Sequence, residues 1–168
     1  GLDLHFKSTV GDNMEPIKST LRNALSRSDI IITTGGIGPT LDDLTREAVA
    51  EVLGKPLVFH QELFDQLSDF FTRQGRTVSP NNRKQVYIPE GAIPIENPVG
   101  TAPGFIAEQE GKAIITVPGV PHEMRYFMEH SVLPYLREKL GIREVIVSRV
   151  LKLTGIGESL VDERLKDL

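Results

Sequence analysis

Apolar and polar residues alternate in two periods along this chain, and the switches between them mark its elements. Leu2, Leu4 and Phe6 alternate with Asp3, His5 and Lys7, the period of a strand, as far as the turn Gly11-Asp12-Asn13. Ile17, Leu21, Ala24 and Leu25 then fall at helical spacing, with Pro16 tolerated in a first turn. The run 29–34, Asp-Ile-Ile-Ile-Thr-Thr, is short and β-branched, the pattern of a strand buried on both faces. Strand, helix, strand predicts a parallel sheet.

Gly35-Gly36-Ile37-Gly38-Pro39 breaks that strand, and Leu44, Ala48, Val49 and Val52 predict a helix over 43–53 that Gly54 stops. A second helix is expected over 61–73, its stripe made of Leu63, Phe64, Leu67, Phe70 and Phe71. Pro80 opens a short helix within 79–86, and 89–104 reads as a long loop rich in proline and glycine. Residues 105–107 and 113–117 form a hairpin turned at Glu110-Gly111, and 122–140 reads as one helix carrying Met124, Phe127, Met128, Val132, Leu136 and Leu140. A strand over 145–153 and a helix after Gly155 with little to pack against complete the pattern.

Composition narrows the class. The chain has 168 residues, 39% of them hydrophobic, no cysteine and a net charge of −4. That length supports a single core without staples. Absence of cysteine removes disulfides, thiolate metal sites and thiol nucleophiles, and suits the cytoplasm. No basic stretch marks a nucleic-acid surface, and no apolar run approaches the length that spans a bilayer. Gly1 in place of Met and a strand-like opening point to a fragment.

Chemistry concentrates at the stretch 33–45, a glycine-rich turn between a buried strand and a helix. At the carboxyl end of a strand, backbone amides and a helix N-terminus favour an anion. Thr34, Gly35, Gly36, Ile37, Gly38 and Thr40 are therefore candidates for holding phosphate. No Lys-Ser/Thr follows for a P-loop, and Pro39 and Thr40 stand where a dinucleotide fingerprint needs its spacer and third glycine. Asp42 and Asp43 either cap the helix or hold a divalent ion, Mg²⁺ or a transition metal, against the phosphate. Two carboxylates beside an anion turn repel the ligand without such an ion.

The turn 118–121, Pro-Gly-Val-Pro, again follows an apolar strand and precedes a helix, and offers Pro118, Gly119, Pro121 and Glu123. His122 is read as a solvated residue rather than a catalyst. Asn82 with Arg83 and Lys84, and Gly100 with Thr101 in the loop 94–104, are further candidates.

Together Thr-Thr-Gly-Gly-Ile-Gly-Pro-Thr at 33–40, Asp42-Asp43-Leu-Thr, Asn81-Asn-Arg-Lys-Gln85, Asn97-Pro-Val-Gly-Thr-Ala-Pro-Gly104 and Pro118-Gly-Val-Pro-His-Glu-Met124 resemble the competence-damage-inducible protein family, CinA, over the whole chain. The resemblance implies a three-layer α/β/α sandwich with a mostly parallel sheet, of the molybdopterin-binding, MoaB/Mog-like kind. On it, 1–141 is that domain and 142–168 opens a following small segment, beginning at Thr154-Gly-Ile-Gly-Glu-Ser159. It implies metal-dependent hydrolysis of a nucleotide-sugar pyrophosphate such as ADP-ribose, with Asp43 matching the family carboxylate; the alternatives are molybdopterin adenylyl transfer and a non-catalytic binding or assembly domain. A homo-oligomer is expected by analogy. Two departures accompany the match: an initial strand and helix bearing Gly-(Asp/Thr)-Glu-Leu, and a C-terminal amidohydrolase domain, are absent from this sequence.

Overall fold

A computed structural model describes residues 2–141, 150 and 152–166. Its helices are α1 (Met14–Arg27), α2 (Thr45–Leu53), α3 (Gln61–Arg73), α4 (Pro80–Arg83), α5 (Pro121–Phe127), α6 (Leu133–Lys139) and α7 (Glu158–Leu165). Its strands are β1 (Ile30–Thr34), β2 (Leu57–Phe59), β3 (Tyr87–Pro89), β4 (Ile93–Ile95), β5 (Gly104–Gln109) and β6 (Lys112–Val117). One sheet runs in the order β1-β6-β5-β4, and β2 pairs with β3 in a separate ribbon.

Period-two alternation on β5 and β6 sorts the core into two layers. Phe105, Ala107 and Ile114 face α1, α2 and α3, joining Leu21, Val49, Leu67 and Phe71. Ile106, Ala113, Ile115 and Val117 face the opposite way, onto Phe127, Val132 and Leu136. Helices thus cover both faces of the sheet, the expected α/β/α sandwich. Within it β1 and β6 are parallel, whereas β6–β5 and β5–β4 are antiparallel, so the described sheet is mixed. The antiparallel β5–β6 pair comes from the hairpin at Glu110 (φ 52) and Gly111 (φ 81), two left-handed residues that reverse the chain in the favoured sense.

Other expectations need correction. Residues 2–10 form no strand, because their alternating pattern finds no ladder partner among the described residues; Leu4 is 86% exposed, and Phe6 lies under the Arg27 guanidinium, 3.6 Å from its centroid. β1 is not buried on both faces, since it forms the sheet edge: Ile31 enters the core, but Ile32 is 40% exposed. The stretch 89–104 is not all loop, for Ile93-Pro94-Ile95 pairs with β5 as the opposite edge. The single helix expected over 122–140 is two α-helices joined by a π-turn at Met128–Val132. Pro134 supplies the cause, since it has no N–H for the bond to His130 that an α-helix requires. Most of the strand expected over 145–153 lies outside the described residues. Helix α7 has no buried residue, as its pattern predicts.

Candidate functional site

The glycine-rich turn leaves the end of β1 and reaches the first turn of α2 by a path that only glycine allows. The N–H of Gly35 donates to the carbonyl of Val117 at 3.0 Å, extending the β1–β6 ladder by one bond. Gly35 and Gly36 then adopt φ of 86° and 70°. A Cβ on Gly36 would overlap the Thr45 hydroxyl and lie 2.9 Å from Thr45 Cβ. The space against Gly36 is therefore filled by α2, and its lack of a side chain serves the approach of the helix rather than that of a ligand.

The carbonyls of the turn point inward. Thr45 N–H donates to the Gly36 carbonyl at 2.9 Å, while the Arg46 guanidinium donates to those of Ile37 (3.0 Å) and Gly38 (3.4 Å). In a planar trans peptide the following N–H points the other way. The N–H groups of Ile37 and Gly38 are thereby turned away from α2, and that of Ile37 meets no acceptor among the described residues.

The two aspartates part company. Asp43, half-buried, accepts the Thr40 N–H at 2.9 Å and the Thr40 hydroxyl at 2.6 Å on the same oxygen, Oδ2, which lies 2.5 Å from where a Gly38 Cβ would stand. Burial pushes its carboxyl up, but the Thr40 hydroxyl and amide, the Gly38 N–H and the Lys84 charge outweigh that and hold it below the usual carboxylate value. Asp42 is exposed and enters no hydrogen bond among the described residues. Neither caps α2: the N-cap position belongs to Leu44, without a side-chain bond, and the Gly36 carbonyl meets the first free N–H instead.

The Asn81–Gln85 segment docks on this turn through Lys84. Lys84 Nζ donates to the Thr40 carbonyl and, at 3.4 Å, to that of Asp43. Ser79 caps α4 by accepting the Asn82 N–H at 3.3 Å. Asn82 Nδ2 donates to Gln85 Oε1 at 3.2 Å, and Gln85 Nε2 to the Thr101 hydroxyl at 3.4 Å. Gln85, 2% exposed, thus links the two loops.

The second turn meets the first through glycine: a Cβ on Gly119 would sit 3.0 Å from Gly35 Cα. Pro118 is buried, Gly119 and Pro121 are exposed, and Thr34 is exposed at the end of β1. His122 is exposed in the first turn of α5, which fits the solvated reading. Glu123 folds over Gly100, where a Cβ would collide with its carboxylate, and accepts Asn97 Nδ2 at 2.6 Å. That carboxylate makes no described contact with Asp42 or Asp43, so the acidic residues form two separate groups. Among the described residues no three carboxylate or imidazole side chains converge as a metal cage.

Sequence reasoning missed two members, Arg46 and Gln85. Each is a polar residue at an apolar position of a helical segment, and only the fold shows what it reaches. A small cavity of about 20 Å³ lies beside Asn97, Gly100 and Thr101, and a groove of about 530 Å³ lies away from the turn, between β4 and the Tyr126–Tyr135 side of the α5–α6 helix.

Comparison with known proteins identifies the family and the fold. Residues 1–138 match the family described as "Probable molybdopterin binding domain". The chain is 52% identical over all 168 residues to a "Putative competence-damage inducible protein" of Caldicellulosiruptor saccharolyticus, and 50% identical to the protein of that name from Halothermothrix orenii. It spans about 40% of the length of these curated relatives. The solved structure of CinA from Thermoplasma acidophilum, a protein of unknown function, matches with a TM-score of 0.67 and 36% identity, covering 73% of this chain and 72% of that one. The chain belongs to the CinA family and carries that family's molybdopterin-binding-type domain.

Proposed function

We propose that this domain hydrolyses the pyrophosphate of a nucleotide sugar such as ADP-ribose, with a divalent cation, in the cytoplasm and as a homo-oligomer. The observation that supports this most is the inward capture of the carbonyls of Gly36 and Ile37, which turns the Ile37 amide outward with no acceptor among the described residues and aims that of Gly38 at the Asp43 carboxylate. Fixed backbone dipoles of this kind stabilise phosphoryl charge without reorganising. Thr34, Gly35 and Thr40 extend that surface on one side, and Pro118, Gly119 and Pro121 on the other. Asn82, Gly100, Thr101 and Glu123 would bind the nucleoside or sugar portion, where side-chain amides, hydroxyls and a carboxylate match ribose hydroxyls.

The donor set suits a hard cation. Asp43 commits Oδ2 to Thr40, and its other oxygen, with the exposed Asp42, would hold the ion. Mg²⁺ takes one or two carboxylates and fills its remaining positions with water and substrate phosphate, so the absence of a three-residue cage among the described residues is compatible with it. When bound, such an ion supplies charge neutralisation at the phosphoanhydride and an acidified water. The chain's own part is to hold Asp43 ionised, to present the Ile37 amide, and to place the Lys84 charge behind the turn.

The family description favours a second reading, molybdopterin binding with adenylyl transfer. Incubation with ADP-ribose, or with ATP and molybdopterin, with and without divalent metal, separates the two. Metal-dependent AMP from ADP-ribose is the expected result. Adenylylated pterin replaces it on the second reading, and neither product leaves a binding or assembly domain.

A further inference from the structure

Arg46 stands in the first turn of α2 and is 1% exposed. A buried guanidinium is costly unless its donors are met. Main-chain oxygens meet them here: Nη1 donates to the Lys84 carbonyl at 2.5 Å, and Nη2 to the carbonyls of Ile37 and Gly38. No carboxylate pairs with it at salt-bridge distance among the described residues. An apolar side chain of similar volume would fill the same space with less desolvation, so packing alone gives no reason for a cation at this position.

What the guanidinium does that an apolar group could not is fix orientation. Its hold on the Ile37 carbonyl sets the Ile37–Gly38 peptide with the carbonyl inward and the Gly38 N–H turned toward Asp43. Thr45 N–H does the same for the preceding peptide through Gly36. Its hold on Lys84 ties the turn to the segment whose Nζ reaches Thr40 and Asp43.

We propose that Arg46 is a positioning residue for the phosphate-facing turn, locking the Gly36–Gly38 peptides and the Asn82–Lys84 segment into the one arrangement in which both address the same anion. The inference rests on the reading of this turn as the phosphate site. Lysine cannot take the role, because one ammonium does not reproduce the planar fork that spans carbonyls of two segments.

The test uses the full-length protein, ¹⁵N-labelled, as wild type, Arg46→Lys and Arg46→Met, titrated with ADP-ribose and separately with inorganic pyrophosphate. In the wild type, the Ile37 and Gly38 amide resonances should move with either ligand. In both variants, affinity should fall about tenfold or more, the size of one lost hydrogen bond to a charged group, with the movement of those two amides lost while that of Gly119 persists. Wild-type affinity in Arg46→Lys overturns the proposal, because a buried charge alone would then suffice. Ligand binding by the wild type with the Ile37 and Gly38 amides stationary overturns it too, whatever the variants do. If ADP-ribose has no effect, yet pyrophosphate moves these amides in the wild type and not in Arg46→Lys, the positioning role stands and the nucleotide reading falls.

Discussion

Replacing Gly36 with alanine separates two costs that a glycine can hide, and Gly75 supplies the control. Gly36 and Gly75 have nearly the same φ, 70° and 69°. An alanine at either position accepts left-handed strain of about 1–2 kcal/mol. At Gly75 nothing lies within 4 Å of the added methyl group, so that strain is the whole effect. At Gly36 the methyl overlaps the Thr45 hydroxyl and lies 2.9 Å from Thr45 Cβ and 3.3 Å from Thr45 N. The hydroxyl can rotate aside, but N is backbone and Cβ is fixed to it by the Cα, so the helix start must shift. Overpacking of this kind adds about 1–3 kcal/mol. Gly36→Ala should therefore destabilise by about 2–5 kcal/mol, a large part of a typical domain's stability, against about 1–2 for Gly75→Ala. Urea unfolding followed by far-UV circular dichroism measures both, since the chain has no tryptophan to report. Equal losses at the two positions would refute the packing argument. A Gly36→Ala protein of unchanged stability that no longer binds ADP-ribose would return this glycine to the ligand surface.

Asp43→Asn should abolish metal-dependent hydrolysis in an assay of AMP release, with Asp42→Asn a weaker second. The same Asp43 substitution should flatten the acid limb of stability: a carboxyl held below its unfolded value stabilises above about pH 4, and that contribution is lost as pH falls through the folded value, so wild type and variant should converge in acid denaturation monitored by circular dichroism. Gln85→Leu should cost about 1–3 kcal/mol in urea unfolding, because it removes the partner of both the Asn82 amide and the Thr101 hydroxyl. Gly100→Ala should displace the Glu123 carboxylate and leave Asn97 Nδ2 with the Ala102 carbonyl alone, visible as a shifted Asn97 side-chain amide resonance, with α5 intact by circular dichroism.

The helical stripes were legible because burial on one side leaves a 3.6-residue trace: the extent of α3 matches the pattern of Leu63, Leu67 and Phe71. The hairpin was legible from Glu110-Gly111, and the α4 start from Ser79-Pro80. Edges were not. Ile30-Ile31-Ile32 reads the same in a central strand as in β1, and only the lack of a neighbour beyond β1 among the described residues leaves Ile32, which shares a face with the buried Ile115, 40% exposed. In the site, the composition of the turn pointed to an anion surface, while the contact of Gly35 with Gly119 of the second turn appears only in the fold. The division of labour among those glycines was hidden, since it depends on what fills the space opposite each: Thr45 at Gly36, Asp43 at Gly38, Glu123 at Gly100. Arg46 and Gln85 were hidden for a related reason. A polar residue inside a helical stretch looks solvated until the backbone oxygens or side chains it satisfies are brought to it from distant sequence.

The two borders of the main sheet differ in what they offer a newcomer. β4 is three residues long with Pro94 at its centre, so one of its three amides has no hydrogen to give. β1 is five residues long with no proline, and among the described residues it pairs only with β6. A strand supplied from elsewhere, in this polypeptide or another, finds a full row of donors and acceptors along β1 and a broken one along β4. Growth of this sheet is therefore directional: one border admits extension, and the other is guarded against the edge-to-edge stacking through which sheets aggregate.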